Sequence, residues 1–194
     1  MSLTVKESGG GDYVKAPEGT HLARCYQIID LGPQEQTFQG ESSIKEKVVL
    51  LWELPGELMD DGRPFSCSKM YTNSLNEKSN LRKDLESWRT KKFTDEELAG
   101  FDLRAVLGVP SQVTIVWSTG EKIYANVATV VGIPKGLEMP AAVNASVVYD
   151  RDQHDQAVFN ALPQWMRDKI IGAKSDAYAA SAESTPDFDD DVPF

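Results

Sequence analysis

Apolar residues along the chain recur first with the spacing of strands, then with that of helices, and then as strands again. Three strand-like segments come first, and the run 47–54 is so continuously apolar that we expect it to be a central strand. Gly32-Pro33 and Pro55-Gly56 are expected to end the first and second strands, and Asp61-Gly62 to form the turn before the third. The predicted strands cover residues 20–30, 47–54 and 63–72.

Helical spacing follows the third strand. Apolar residues recur at i, i+4 and i+7 from Leu81 to Trp88, behind Ser79, which has the chemistry of an N-cap. Thr94, with Glu97 three residues later, predicts the capping box of a second helix. The helical pattern continues over residues 102–107, where a glycine and a proline follow and are expected to end it.

Two further strands are predicted over residues 113–117 and 122–133, with Gly120 in the turn between them. The order strand, strand, strand, helix, strand, strand is the plan of the OB-fold, a small five-stranded barrel. We therefore predict a mainly β domain with helices over residues 17–150. It would be a five-stranded OB-fold barrel with a helix inserted between strands three and four.

The two ends of the chain differ from this domain. Residues 1–16 contain a run of three glycines and little apolar content, which indicates a flexible arm. An edge strand is allowed within 143–149, and apolar residues over 158–171 recur at near-helical spacing. The extension 151–173 is therefore expected to pack a short amphipathic helix on the barrel, with a subunit contact as the alternative. The Ala and Ser content of 174–186 indicates a linker.

Charge and cysteine content limit the classes of function. The net charge is −10, and from Lys174 onward there are one basic and six acidic side chains, so the preceding body carries −5. Any nucleic-acid site must therefore be local. Cys25 and Cys67 lack the spacing of a metal site or a disulfide framework, which predicts small core residues in a reducing cytoplasm. We expect a cytoplasmic protein that does not contact membranes, because no apolar run approaches the roughly 20 residues of a span and the N-terminus lacks a signal-peptide pattern.

The last eight residues are the most distinctive stretch of the chain. They are Asp187, Phe188, Asp189, Asp190, Asp191, Val192, Pro193 and Phe194. Because its like charges repel and its proline breaks regular structure, such a segment does not fold alone and is suited to being bound. The Phe194 ring would fill an apolar pocket, its terminal carboxylate would contact Arg or Lys, and the aspartates would steer it to a basic surface. A solubilising acidic tail is the alternative.

This string resembles the C-terminal tip of bacterial single-stranded DNA-binding proteins, DFDDDIPF, and differs only at Val192. The resemblance covers the tip alone. It implies a disordered acidic tail that recruits replication, recombination and repair enzymes and competes with DNA for the protein's own basic groove. The body lacks the usual opening strand of the bacterial housekeeping family. It looks more like a phage-encoded OB-fold protein that carries the host tip and acts in the host bacterial cytoplasm.

One basic stretch offers what non-specific binding of single strands needs, namely cations for phosphates and aromatic faces for bases. From Arg63 to Lys92 there are eight basic and three acidic residues, a balance of +5, and the next stretch to Leu107 carries −3. Core packing is the alternative for Phe65 and Trp52. The candidate DNA-binding residues are Arg24, Tyr26, Lys47, Trp52, Arg63, Phe65, Lys69, Tyr71, Arg82, Lys83, Arg89, Lys91 and Lys92.

An enzyme is not indicated. His21 and His154 are the only histidines, neither neighbours a cysteine, and no metal-ligand spacing, phosphate loop or nucleophile motif occurs, so we expect no metal and no cofactor. The leading hypothesis is a single-stranded DNA-binding protein without sequence preference. One alternative is a decoy that occupies host enzymes through the tip and binds no DNA, and another is a mediator that anneals strands. A homo-oligomer is compatible with one OB unit, which often needs partners to cover a long strand.

Overall fold

The computed structural model describes residues 14–38 and 40–173, which form one sheet and several short helices. The elements are β1 Gly19–Phe38, β2 Glu41–Leu58, β3 Pro64–Thr72, α1 Asn80–Arg89, α2 Asp95–Ala99, a 3₁₀ turn Leu103–Val106, β4 Pro110–Trp117, β5 Ala125–Val131, β6 Val147–Tyr149, a second 3₁₀ turn Arg151–Gln153, α3 Gln156–Ala161 and α4 Gln164–Ile171. The predicted mainly β class with helices is confirmed. Most of the predicted arm, the linker 174–186 and the tip 187–194 lie outside the described residues.

The strands lie in the order β3-β2-β1-β4-β5, and neighbours in this order are antiparallel. β1 is central because its first six residues pair with β4 and most of its length pairs with β2. β6 lies within the segment 143–149 that was predicted as an edge strand. It pairs in parallel with β1 at Gln27–Ile29. In the part of the chain that the structure describes, the sheet is open, with no ladder between β3 and β5.

The first strand is longer than predicted, because it continues through Gly32-Pro33 to Phe38. Gly32 has a positive φ of 68° at an irregularity in the β1–β2 register, and its N–H donates to Asp30 Oδ1 at 2.8 Å. Among the described strands, β1 pairs only with β2 beyond Ile29. An open strand edge tolerates a proline, which has no N–H to donate. The predicted strand end was therefore wrong.

The second strand also continues past its predicted end, through Pro55-Gly56 to Leu58. The register between β2 and β3 shifts between Leu54 and Leu58, so the proline and glycine occupy an irregularity in the ladder. A bulge leaves residues unpaired and bends the strand without ending it. Residues that would form a turn elsewhere are accommodated here by this bulge.

Both predicted helix starts are present, with different chemistry. Ser79 occupies the N-cap position of α1, but its hydroxyl donates to the Ser74 carbonyl at 2.7 Å and makes no cap bond. Thr94 and Glu97 form the predicted capping box of α2, in which each side chain accepts from the other residue's N–H. The predicted helical continuation over 102–107 is a separate 3₁₀ turn.

Apolar side chains pack on both faces of the sheet. The inner face carries the main core, where Trp52, Val113 and others pack against α1 and the turns that follow it. On the outer face, Leu162 and Met166 of the extension (151–173) pack on β1 and β2. The prediction that the extension packs back on the sheet is confirmed, although its helix is divided at Pro163 into α3 and α4.

Cys25 and Cys67 are free and buried, as predicted for small core residues. Burial raises the pKa of both thiols to about 12. Within residues 14–38 and 40–173, no helix has the length and apolar content needed to cross a bilayer.

Candidate nucleic-acid interface

The aromatic candidates of β2 and β3 face the inner core. Trp52 is completely buried, with its ring centroid 5.9 Å from that of Trp88. Tyr71 is also buried, and its hydroxyl donates to Asp84 Oδ2 at 2.8 Å. Phe65 is half-buried against the same core. Trp52 and Tyr71 offer no ring face to a nucleobase, so their prediction as stacking residues is corrected. Phe65, Lys69 and Tyr71 alternate along β3 on the face of the sheet that is directed at the inner core.

Most of the predicted cations contact carboxylates close to them in the sequence. These ion pairs are Arg63–Asp61 at 2.6 Å, Lys69–Asp84 at 3.0 Å, Arg82–Glu86 at 3.0 Å, Arg89–Glu97, and Lys91–Glu97 at 3.1 Å. The balance of +5 in the sequence therefore overstates the charge available to phosphates. Lys83 and Lys92 are exposed on α1 and just beyond it, as a phosphate contact requires.

Arg89 lies in an aromatic clamp where α1 meets α2. Its guanidinium carbon is 4.4 Å from the ring centroid of Phe93 and 4.8 Å from that of Phe101. Glu97 pairs with Arg89 and also accepts a hydrogen bond from Lys91 Nζ. A cavity of about 310 Å³ opens beside this cluster. The contacts of Arg89 join the two helices, so a phosphate would have to compete with Glu97 for its guanidinium.

We expect the Glu97 carboxyl group to titrate well below an ordinary glutamate. The hydrogen bond from the Thr94 N–H, then those from Lys91 and Arg89, lower its pKa from 4.5 to about 2. A carboxyl whose pKa is lowered in the folded protein stabilises it only when ionised. This contribution is complete above a pH of about 4.5 and is lost as the pH falls towards about 2. NMR titration of the Glu97 carboxyl carbon measures this pKa, with Glu97→Gln as the assignment control. A midpoint near 4.5 would contradict the expectation.

A segment between β5 and β6 contacts the first half of β1 and the second half of β2 on the outer face. We call this segment, residues 132–146, the strap. Arg24 Nη2 donates to the Pro140 carbonyl at 2.8 Å. Glu53, completely buried beside Arg24, accepts from the N–H groups of Val143 and Asn144 at 3.2 and 2.7 Å. Arg24 is thus engaged by the strap and is not presented to solvent as a phosphate ligand.

The extension covers the same face farther along. Tyr26 is half-buried against this packing, and Lys47 Nζ donates to Thr72 Oγ1 at 2.8 Å. Leu162 and Met166 are buried over the apolar residues of β1 and β2. OB-folds commonly bind single strands across the face of strands two and three. Here the strap and the extension occupy the outer face of β1 and β2. Arg24, Tyr26 and Lys47 lie on this covered face and are not brought together with the cations of α1.

Exposed aromatic residues lie on the β4–β5 hairpin, which contains none of the DNA-binding residues predicted from the sequence. Trp117 is 39% exposed and Tyr124 is 58% exposed. They stand on either side of the turn with the exposed Val116 and Ile123. Trp117 lies opposite Ala125 and Tyr124 lies opposite Ser118, so the two rings lie on different faces of the hairpin. Most of the predicted residues follow the basic stretch 63–92, which lies on β3 and α1. An aromatic residue on each side of a short polar turn was the available signal.

Comparisons with known proteins do not assign the chain to a family. No protein-family model matches it, and no curated protein does. Among the described residues, no three His, Cys, Asp or Glu side chains are grouped as metal ligands would be. The terminal sequence, the strand order and the exposed side chains are therefore the features that bear on its function.

Proposed function

We propose that this protein binds single-stranded DNA without sequence preference and recruits replication, recombination and repair proteins through its C-terminal tip. The observation that carries the proposal is the terminal sequence 187–194, which differs only at Val192 from the tip of bacterial single-stranded DNA-binding proteins. A recruiting tip is useful on a protein that remains on exposed strands while enzymes come to it. The apolar terminal residue and four carboxylates suit capture by a basic pocket on such enzymes.

We infer that the domain is an OB-fold whose barrel is completed between β3 and β5. The order β3-β2-β1-β4-β5 supports this inference, because closing a sheet of this order brings its two end strands together. α1 lies between β3 and β4 in the sequence, as the OB plan requires. It also links the two ends of the sheet. Asp84 contacts Lys69 and Tyr71 of β3, and the Ser87 carbonyl accepts from the N–H of Gly132, just after β5.

A thymidine oligonucleotide titration tests the proposal. We expect saturable quenching of tryptophan fluorescence that weakens as salt rises, because bound phosphates release counterions. A chain lacking residues 187–194 should bind more tightly, since the tip no longer competes for the DNA site. Gel shift provides an independent readout. Failure of both chains to bind in both assays would overturn the proposal.

A decoy that binds no DNA is the second candidate. The ion pairs favour it, because Lys69, Arg82 and Arg89 already contact carboxylates. Either candidate should retain repair proteins from a bacterial extract when the chain is immobilised, and lose them when 187–194 is deleted. Oligonucleotide binding would eliminate the decoy. A mediator that anneals strands also binds DNA and is separated by an annealing assay with complementary strands.

A further inference from the structure

We propose that residues 1–13 fold back over the exposed ring of Trp117, with Leu3 and Val5 packed against it. This inference goes beyond the proposed function and does not depend on DNA binding. It assigns a docking surface to the segment that the sequence predicts as a flexible arm.

The Trp117 ring lies where the main core opens to solvent. Val113, Ile115 and Trp117 are alternate residues of β4 and lie on one face of it, and the first two are buried in this core. Trp117 is 39% exposed. Its Nε1 donates at 2.9 Å to the carbonyl of Ala16, which is completely buried in the same core. The ring therefore continues the apolar surface of the core to the outside of the protein.

The described chain enters the fold directly beside this ring. Lys15 Nζ lies 6.0 Å from the ring centroid of Trp117, and Glu18 Oε1 accepts from the Trp117 backbone N–H at 2.8 Å. Val14, the first described residue, is 59% exposed. Residues 1–13 are thus tethered next to the surface that they would cover.

The sequence of this segment suits a return to the ring. Gly9-Gly10-Gly11 permits a reversal, because glycine adopts positive φ angles without a steric cost. Leu3 and Val5 flank one polar residue, so an extended backbone directs both side chains to the same side. The eight residues between Val5 and Val14 form a flexible linker with an average span of about 16 Å. This span lets Leu3 and Val5 reach an indole ring beside Val14.

The tether favours this segment over other occupants of the surface. A segment on a short flexible linker is present at an effective concentration on the order of millimolar. A second copy of the chain, or a separate apolar partner, would have to compete with that concentration. Packing of two aliphatic side chains on an indole face is driven by removal of apolar surface from water and needs no specific hydrogen bond.

Hydroxyl-radical footprinting of the full chain, without DNA, tests the inference. Trp117 and Trp165 have similar exposure in the described structure, 39% and 43%. They should oxidise at similar rates if residues 1–13 leave Trp117 uncovered. We expect Trp117 to oxidise severalfold more slowly than Trp165. Mass spectrometry of the two peptides measures both rates in one sample.

Substitutions in the segment show which side chains provide the cover. Leu3→Ser combined with Val5→Ser retains the length of the segment and removes its aliphatic groups, so Trp117 should then oxidise about as fast as Trp165. Thr4→Ala is the matched control, because Thr4 points to the opposite side of an extended backbone, and it should leave the protection unchanged. Circular dichroism verifies that each variant is folded.

Every outcome of this experiment supports or overturns the inference. Nuclear Overhauser effects between the methyl groups of Leu3 or Val5 and the Trp117 ring would support it directly. Equal oxidation of Trp117 and Trp165 in wild type would overturn it. Protection that persists in the double serine variant would assign the cover to another segment, and protection that increases with protein concentration would assign it to a second copy. Either result would also overturn it, and the proposed function, which the oligonucleotide titration tests, would be unaffected.

Discussion

Replacing Glu53 with alanine should lower the free energy of unfolding by about 3–5 kcal/mol, the cost of breaking a buried ion pair from one side. The Glu53 carboxylate is completely buried, accepts from Asn144 Nδ2 at 2.9 Å as well as from two backbone N–H groups of the strap, and lies 3.6 Å from Arg24 Nη1. Its removal leaves a largely buried cation without a counter-charge and three donors without an acceptor. Urea unfolding, followed by circular dichroism, measures the loss.

Two control variants show whether this loss comes from the buried site. Glu53→Gln keeps the volume and one acceptor oxygen, so it should be less destabilising than alanine. Glu57 lies farther along the same strand, with its side chain 44% exposed and 3.1 Å from His21 Nδ1. Glu57→Ala should cost less than about 1 kcal/mol, as exposed pairs do. Equal stability of Glu53→Ala and Glu57→Ala would mean that Glu53 does not hold the strap. Limited proteolysis within 132–146 would locate any loosening.

The order of strands and of the α1 helix could be predicted, because alternation and helical spacing record burial within each segment. The Thr94–Glu97 capping box is equally local, and the sequence identifies it directly. The ends of β1 and β2 could not be predicted in this way. Whether Gly32-Pro33 or Pro55-Gly56 ends a strand depends on the register of the partner strand, and here a bulge accommodates each pair.

The candidate site was less predictable for a related reason. The sequence shows that Phe65, Lys69 and Tyr71 share one face of β3, but not which face meets the core. α1 decides this, and it brings Asp84 within 3.0 Å of Lys69 and 2.8 Å of Tyr71. A count of charges in the sequence likewise cannot show which cations are paired.

The strap and the extension, which cover the outer face, lie far along the chain from the strands that they contact. Pro140 and Asn144 of the strap reach Arg24 and Glu53, which lie about ninety or more positions earlier. No local pattern records such a contact. The apolar continuity of 47–54 predicted a central strand, and β2 lies between β3 and β1 with an apolar cluster on each face.

Met166→Ala should lower the free energy of unfolding by about 2–5 kcal/mol, the cost of a cavity in a packed core. Met166 is almost completely buried, in a cluster with Ile29, Leu31 and Val49 of the sheet. Met166→Asp should cost more, because it also buries a carboxylate without a partner. Trp165→Ala, at the neighbouring and exposed position, is the control and should cost less than about 1 kcal/mol. Urea unfolding monitored by far-ultraviolet circular dichroism compares the four proteins.

The shape of the Met166→Asp transition decides whether the extension is part of the cooperative fold. We expect one transition, because Met166 and Leu162 share one apolar cluster with β1, β2 and Tyr149 of β6, and this cluster would be exposed to water if the extension unfolded. An early, separate transition would contradict this, since the extension would then unfold while the sheet remained folded. The outer face would be open under those conditions. A single strand could then reach Tyr26, which packs against the extension and would become available to stack.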